Sequence, residues 1–458
     1  MIPERAKPIL DAAEPLAEMF TGAGHRIYLV GGVVRDLFLP RNREGGFDID
    51  LTTTADPDEI QRLIAGWADA VWTQGARFGT IGAKKDGQDF EITTHRAEAY
   101  MAESRNPVVE FTDDVTLDLS RRDFTINAMA LSLPDVELID PFGGVDDLQA
   151  GVLRTPGPPT DSFEDDPLRM LRAARFLAGY GLKADPALAT AVASMPERLS
   201  IVSEERIRDE LDKLMVVEDP TAGLWFLMNT GLADEFFPEL PEMRLEQDPI
   251  HRHKDVLAHT FAVVANTRPT RIVRLAALFH DIGKPKTRSF NDGKVSFHHH
   301  EVVGARMTRD RMRALKYSKE DIADVAKLVY LHLRFHTYSM GWTDAAVRRF
   351  VRDADDLLDE LIELTRCDCT TRNQRKADML SRRMDELEER IADLRAQEEL
   401  SAMRPAIDGN EIMTHLGITP GREIGEALDY LLEIRIDEGE ISREESFKRI
   451  DAWWKARN

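Results

Sequence analysis

Residues 29–55 read LVGGVVRDLFLPRNREGGFDIDLTTTA. The apolar run Ile27, Tyr28, Leu29, Val30 breaks at Gly31-Gly32, and a short helical segment carrying Arg35 follows. After a loop the chain alternates through Phe47-Asp48-Ile49-Asp50-Leu51. That alternation predicts a strand with Asp48 and Asp50 on one face and Phe47, Ile49 and Leu51 on the other. Two carboxylates about 7 Å apart along one strand face make a site for a hard cation such as Mg²⁺. The Gly-Gly turn leaves backbone N–H groups uncovered by side chains, which suits a triphosphate. The stretch therefore points to metal-assisted phosphoryl chemistry.

The totals are compatible with that. A chain of 458 residues exceeds one hydrophobic core, and its length predicts roughly three domains. Apolar residues make up 43% and charged residues 31%, an ordinary globular balance. The net charge of -22, from 82 acidic and 60 basic residues, argues against a sequence-indifferent nucleic-acid coat. It leaves room for a polynucleotide gripped along one basic stripe. No window approaches about 18 uninterrupted apolar residues, and MIPERAKPILDAAEP lacks a signal-peptide core, so a cytoplasmic protein with no membrane partner is expected. Cys367 and Cys369 are too close for an ordinary disulfide and lack metal-site spacing, so both are read as reduced.

Taken in order, residues 4–20 predict an amphipathic helix presenting Ile9, Leu10, Ala13, Leu16 and Phe20. Asp56-Pro57 opens a second helix with Ile60, Leu63 and Ile64 on one face. Residues 80–84 and 89–94 read as strands joined by the turn Lys85-Asp86-Gly87. The second of them offers Glu91 either as a third carboxylate or as a solvent-facing residue. Residues 96–107 are polar and poorly periodic, as in a mobile loop. In LSRRDFTINAMAL, 119–131, Arg121-Arg122-Asp123 stands just before an expected small-residue helix. Its guanidinium and carboxylate meet there near a helix N-terminus, or form a surface salt bridge. Turn-rich residues 140–153 close the first domain.

From Asp165 the pattern is helical, with Pro167 in a first turn. Asp166, Arg169, Arg172 and Arg175 recur every three residues as a slanted polar stripe roughly 13 Å long. Three arginines against one acid favour an anionic ligand over simple i,i+3 pairing. VSEERIRDELDKLM, 202–215, predicts a further helix with Ser203 as N-cap.

LVGGVVRD…DID, RRDFTINAMA, DDPLRMLRAARF and SEERIRDELDKLM resemble, in order and spacing, the motifs of the class II tRNA nucleotidyltransferases over about residues 25–215. The CCA-adding enzymes of that group share a polymerase-beta-like head with bacterial poly(A) polymerases. The resemblance implies an α+β head (1–150), a helical neck that recognises nucleotides (151–245), an HD domain (246–375) and a helical tail that binds tRNA (376–458). It implies that Asp48 and Asp50 hold Mg²⁺, that Gly31, Gly32 and Arg35 meet the triphosphate, and that Arg122 and Asp123 sense the ribose. Asp166 and Arg169 would read the base, with Arg172 and Arg175 on the same helix. The implied reaction is protein-templated addition of CCA to tRNA from CTP and ATP. Poly(A) polymerases carry a GRRF-like stretch where this chain has Gly75-Ala76-Arg77-Phe78-Gly79-Thr80, which favours the tRNA enzyme. Residues 97–106 occupy the place of the flexible loop that CC-adding members lack, which favours full CCA addition. One departure is Glu164-Asp165-Asp166, where the family usually writes Glu before the paired Asp.

The second half carries nearly all of the 12 histidines. His280-Asp281, followed by Gly283 and Pro285, resembles the signature of HD phosphohydrolases. That resemblance implies His259, His280, Asp281, His300, His332 and Asp368 as ligands for Mn, Ni, Fe or Mg. The domain then acts as a metal phosphohydrolase on RNA ends or nucleotides, or is an inactivated scaffold. Further on, Leu380, Met384, Leu387, Ile391 and Leu394 form a heptad-like seam that packs within the chain or pairs subunits. Arg372, Arg375, Lys376, Arg382 and Arg383 offer a basic face for phosphates or simply a solvated surface. Short helices are expected from Ile407 on.

Overall fold

A computed structural model of the chain describes residues 6–39, 48–99, 108–245, 255–291, 294–369, 374–398 and 405–457. The chain divides into two compact units, Met1–Pro241 and Glu242–Asn458. Among the described residues no helix is long and apolar enough to cross a membrane.

The first unit opens with α1 (Lys7–Gly22), β1 (Ile27–Val30), α2 (Gly32–Asp36), β2 (Ile49–Thr53) and α3 (Pro57–Ile64). It continues with β3 (Ala70–Trp72), β4 (Thr80–Lys85), β5 (Gln88–Thr94), β6 (Arg96–Ala99) and β7 (Val108–Phe111). Then follow α4 (Val115–Ser120), β8 (Ala130–Leu133), β9 (Leu138–Ile139) and α5 (Gly144–Ala150). Seven strands form one sheet in the order β3-β4-β5-β2-β1-β8-β9. Only the β2–β5 pair in it is parallel, and this sets Asp50 opposite Glu91.

The period-two alternation sorts the sheet into two faces. Ile27, Leu29, Ile49 and Leu51 turn toward α1 and α3, where Ile9, Leu16, Phe20, Ile60 and Ile64 are also buried. Each such side chain contributes about 1.5–3 kcal/mol through removal from water. Tyr28 and Val30 turn the other way, onto Val115 and Leu119 of α4. Asp50 shares that second side, so the strand that builds the core also carries the carboxylates out of it. Asp56 caps α3 by accepting from Glu59 N at 2.9 Å. Asp86 (φ 49°) and Gly87 (φ 81°) are both left-handed, which makes the β4–β5 connection a two-residue hairpin turn.

Two expectations change here. The segment after Asp123 is a short 3-10 turn, Thr125–Asn127, followed by β8, not a helix. Met129, Leu131 and Leu133 join the α1 side while Ala128 and Ala130 join the α4 side, so the small residues alternate and pair with β1. The expected loop at 96–107 begins as β6, antiparallel to β7, which gives its backbone a ladder. The rest of that loop, 100–107, lies outside the described residues.

The same unit continues with α6 (Pro159–Asp165), α7 (Leu168–Tyr180), α8 (Pro186–Ser194) and α9 (Glu204–Met215). Asp166 caps the end of α6 in an extended conformation, so it precedes α7 and the slanted stripe does not start on that helix.

In the second unit, helices Val256–Asn266, Arg271–Phe279, His300–Ala314, Lys319–Leu331 and Leu358–Asp368 each carry or adjoin one of the candidate ligands. Helix Gln374–Glu398 presents the heptad-like seam, and Met384, Leu387, Ile391 and Leu394 are all buried. Arg390 bonds Trp342 O at 2.7 Å and Asp344, and Arg366 bonds Asp385 at 2.7 Å, so the seam is covered within the chain. Arg375 and Arg382 are exposed and Arg383 is half-buried, while Arg372 and the side chain of Lys376 lie outside the described residues. The tail packs Gly409–Leu416, Arg422–Glu438 and Arg443–Arg457 around Ile412, Ala427, Leu431 and Ile450.

Candidate active site and metal centre

Gly31 stands between β1 and α2 with φ 72°, a conformation in which an L side chain is strained. A Cβ there would lie 3.2 Å from Arg122 Nη1 and 3.5 Å from Asp50 Oδ2. The turn, the carboxylate and the guanidinium therefore converge on one small space. Asp50 is half-buried there, with Asp48 just before the strand and Glu91 beside it in register. Burial raises the Asp50 carboxyl to about 6, the Glu91 and Asp48 charges push the same way, and Arg122 opposes them. Repelling carboxylates held together on a rigid strand are what a divalent cation relieves, and the donor set fits Mg²⁺.

Arg35 does not face this space freely. It is buried, donates from Nη1 to Asn127 Oδ1 at 2.6 Å and from Nε to Asp36 at 2.9 Å, and lies 4.3 Å from the centre of the Tyr180 ring. Asn127 Nδ2 in turn donates to Asp123 Oδ1 at 2.9 Å, and Arg172 Nε donates to Asp123 Oδ2 at 2.9 Å. Burial works to raise the Asp123 carboxyl, but Arg172 and the Asn127 bond outweigh it and hold it at about 2. Arg175 Nε reaches Glu210 Oε2 at 2.7 Å, and Arg172 lies 3.6 Å from Glu210 Oε1.

This corrects two readings. Arg122 and Asp123 are not paired with each other, because Asp123 turns to α7 and Arg122 to Asp118. The excess of arginine on α7 is also answered, by Asp123 from the head and Glu210 from α9. Glu210 was missed, although its place among Ile207, Leu211 and Leu214 on the buried face of α9 was a signal. A carboxylate in an apolar stripe needs a buried cation.

Asp166 and Arg169 stay adjacent, with Arg169 N donating to Asp166 O at 3.0 Å. Asp166 accepts from Leu168 N at 3.2 Å and from Arg206 Nη2 at 3.0 Å. Arg169 is buried, donating from Nη1 to Ser162 Oγ at 2.9 Å and from Nη2 to Arg121 O at 2.6 Å. A carboxylate with about four acceptor positions and a guanidinium with five N–H groups each keep capacity beyond these bonds.

In the second unit all six candidate ligands come together, as His259, His280 and Asp368 on one side and Asp281, His300 and His332 on the other. Within each trio one donor atom per residue lies within 4.8 Å of the others. His280, His300 and His332 each place Nδ1 against the carbonyl three residues back, at 2.7, 2.8 and 2.6 Å. A carbonyl only accepts, so Nδ1 carries the proton and Nε2 is left as the ligand atom. All three Nε2 atoms are buried; those of His280 and His300 face Asp281 oxygens at 3.2 and 3.4 Å, and that of His332 has no hydrogen-bond partner. That arrangement is costly unless a cation takes the lone pairs.

The charges set what a cation has to displace. Burial works against protonation of His280, yet the Asp281 and Asp368 carboxylates overcome it and raise the imidazole to about 10, so a metal that takes Nε2 must expel its proton. Burial and the neighbouring His280 push His332 down to about 3, so it remains a neutral donor. Lys284, three residues after Asp281, was not singled out from the sequence, and its Nζ lies 2.6 Å from Asp281 Oδ2.

Three segments match known families. Residues 27–154 match the poly A polymerase head domain, 181–243 the probable RNA and SrmB-binding site of polymerase A, and 256–394 the HD domain. The A-adding tRNA nucleotidyltransferase of Deinococcus radiodurans is 34% identical over 424 residues, 89% of this chain and 91% of that protein. The CCA-adding enzyme of Bacillus subtilis is 38% identical over 224 residues, 49% of this chain and 54% of that protein. Among solved structures, the CCA-adding enzyme of Bacillus stearothermophilus in complex with CTP superposes with a TM-score of 0.68 at 22% identity, covering 100% and 99% of the two chains. The Thermotoga maritima CCA-adding enzyme complexed with tRNA gives 0.59 at 22% identity, covering 98% and 96%.

Proposed function

The chain belongs to the class II tRNA nucleotidyltransferases, and we propose that it adds CCA to the 3′ end of tRNA from CTP and ATP without a nucleic-acid template. The observation that carries this reading is the convergence of the Gly31 turn, the Asp48, Asp50 and Glu91 carboxylates and the Arg122 guanidinium. The tRNA 3′-oxygen attacks the α-phosphorus of the nucleotide, the bond to the bridging oxygen breaks, and pyrophosphate leaves. Mg²⁺ held by Asp48 and Asp50 would acidify the attacking hydroxyl and neutralise charge on the departing pyrophosphate. Backbone N–H groups at Gly31-Gly32 and the Arg122 side chain hold the triphosphate, while Arg35 braces the turn from beneath.

Base choice follows from the chemistry of Asp166 and Arg169. Cytosine and adenine each present an amine beside a bare ring nitrogen, which complements an acceptor next to a donor. Guanine and uracil present a carbonyl beside a ring N–H, and each mispaired buried group costs about 1–3 kcal/mol. In the HD domain, the buried and converging Nε2 atoms of His280, His300 and His332 support a transition-metal site completed by His259, Asp281 and Asp368. A metal held there would lower the pKa of a bound water and polarise a phosphoryl oxygen, the equipment of a phosphohydrolase.

The test is incubation with tRNA ending at the discriminator base, CTP and ATP. Growth by three nucleotides supports CCA addition, and indefinite growth points to poly(A) synthesis instead. The full-length likeness to an A-adding relative favours one second reading, restriction to the last step. A tRNA ending in CC that gains A, beside a discriminator-ended tRNA that gains nothing from CTP, would establish it.

A further inference from the structure

Asp118 has no role in the reading above, yet among the described residues of the head it is the most completely enclosed acid. It sits in the short helix α4 with no exposed surface. Its Oδ1 accepts from Arg121 Nη2 at 2.7 Å, from Arg121 Nε at 3.1 Å and from Arg96 N at 3.3 Å. Its Oδ2 accepts from Arg122 Nη2 at 3.2 Å. Both oxygens are thus engaged, by two consecutive arginines and by the strand that starts the 96–107 segment.

What those arginines do makes the contact functional. Arg122 places Nη1 beside the Gly31 turn, 3.2 Å from where a Cβ would stand, while its Nε is buried with no hydrogen-bond partner, so the Asp118 bond is what restrains its guanidinium on the protein side. Arg121 has its side chain tied to Asp118 and to Arg96 O at 3.1 Å, and its carbonyl receives Arg169 Nη2 at 2.6 Å. One carboxylate therefore stands behind both the phosphate-side guanidinium and the base-side guanidinium. Burial alone would raise the Asp118 carboxyl, but Arg122 and Arg121 outweigh it and hold it at about 2. It is an anion at any working pH.

We propose that Asp118 is a positioning residue of nucleotidyl transfer, which orients Arg122 toward the triphosphate and, through Arg121, fixes the carbonyl that seats the base-reading Arg169. A long guanidinium on four rotatable bonds gains most from such a second tether, because a displaced donor loses its charge-assisted bond to phosphate. The inference rests on the nucleotidyl-transfer reading; assay of the unaltered protein tests that reading alone, and the variants test Asp118.

Steady-state kinetics of Asp118→Asn, with CTP or ATP varied at saturating tRNA and then the reverse, decide the matter. The expected result is a KM for both nucleotides raised about tenfold with the KM for tRNA unchanged, since only nucleotide contacts are loosened. Adding Arg122→Ala to Asp118→Asn should then cost clearly less than the sum of the two single losses, the remainder being the part that Asp118 carries through Arg121. A purely structural acid would instead lower kcat, as the active fraction falls, and leave the nucleotide KM in place; that pattern, or additive losses in the double variant, overturns the proposal. Where Asp118→Asn does not fold, Asp118→Glu keeps the charge and displaces it by one methylene. The same selective rise in nucleotide KM is expected of it, and an unmoved KM overturns the proposal equally.

Discussion

Asp123→Asn removes one charge while keeping the shape of the side chain, at the point where the head and α7 are joined. In the native chain that carboxylate receives Asn127 Nδ2 and Phe124 N on one oxygen and Arg172 on the other. At about 1.4 kcal/mol for each tenfold change in an equilibrium, depression of the carboxyl from 3.8 to about 2 is worth about 2 kcal/mol at neutral pH. Leaving Arg172 with Glu210 at 3.6 Å as its remaining acid adds to this, so a loss of about 2–3 kcal/mol is expected. The sign with pH follows from the depressed carboxyl. Its stabilisation is fully present above the unfolded value of 3.8 and is lost as pH falls through the folded value of about 2. About half remains at pH 3, so the gap between native chain and variant should narrow to about half there. Urea unfolding followed by circular dichroism at pH 7 and pH 3, with hydrogen exchange in α7 identifying the transition, measures both quantities. A cost below about 1 kcal/mol at pH 7, or a gap that does not shrink at pH 3, would refute the assignment of this pair as a buried charge clamp.

Three further outcomes are expected. Gly31→Ala forces a left-handed alanine and sets a methyl 3.2 Å from Arg122 Nη1, so nucleotide KM should rise about tenfold while stability falls by about 1–2 kcal/mol; an unaltered KM would place the triphosphate elsewhere. His332→Ala removes the one imidazole nitrogen of the three that no protein group faces, and elemental analysis of the purified full chain should find its transition-metal content reduced by half or more, with CCA addition retained. Leu387→Ala opens a cavity under helix Gln374–Glu398 and should cost the second unit about 2–5 kcal/mol in urea unfolding without altering the sedimentation coefficient; a change of oligomeric state would show that the seam also serves between subunits.

Much of the head was legible because its periodicities are local. Alternation placed Ile49 and Leu51 in the core and Asp50 out of it, and the Asp86-Gly87 pair announced its hairpin through the φ > 0 that both positions adopt. The failure at Thr125–Leu133 has the same origin. Small residues satisfy a helical reading and an alternating one alike, and what decided for a strand was a vacant edge on β1, a partner about a hundred residues away that no local window contains. Asp166 shows the limit at a single residue. Its spacing from Arg169 fits a helix face, but the proline that follows it disfavours helical geometry at the preceding position, and the chain there is extended.

Charge counting along one element was the least reliable guide, and the reason is physical. Three arginines on α7 were weighed against the acid next to them in sequence, but a buried guanidinium is answered by whichever carboxylate the fold delivers. Here those are Asp123 from the head and Glu210 from α9. The histidines invert the case. His280, His300 and His332 are separated by tens of residues, yet each ends or begins a helix and each spends Nδ1 on the carbonyl three residues earlier. Local backbone geometry fixes which nitrogen is free, and tertiary packing has only to bring the free ones together. The arginines had no such local constraint: a long side chain reaches several partners, and sequence spacing does not choose among them. A motif can therefore be read from sequence where short, rigid side chains near helix ends carry the chemistry. Where long cations carry it, the pairing must be seen, and Asp118 with Arg121 and Arg122 is the instance in this chain where the pairing itself suggests what the acid is for.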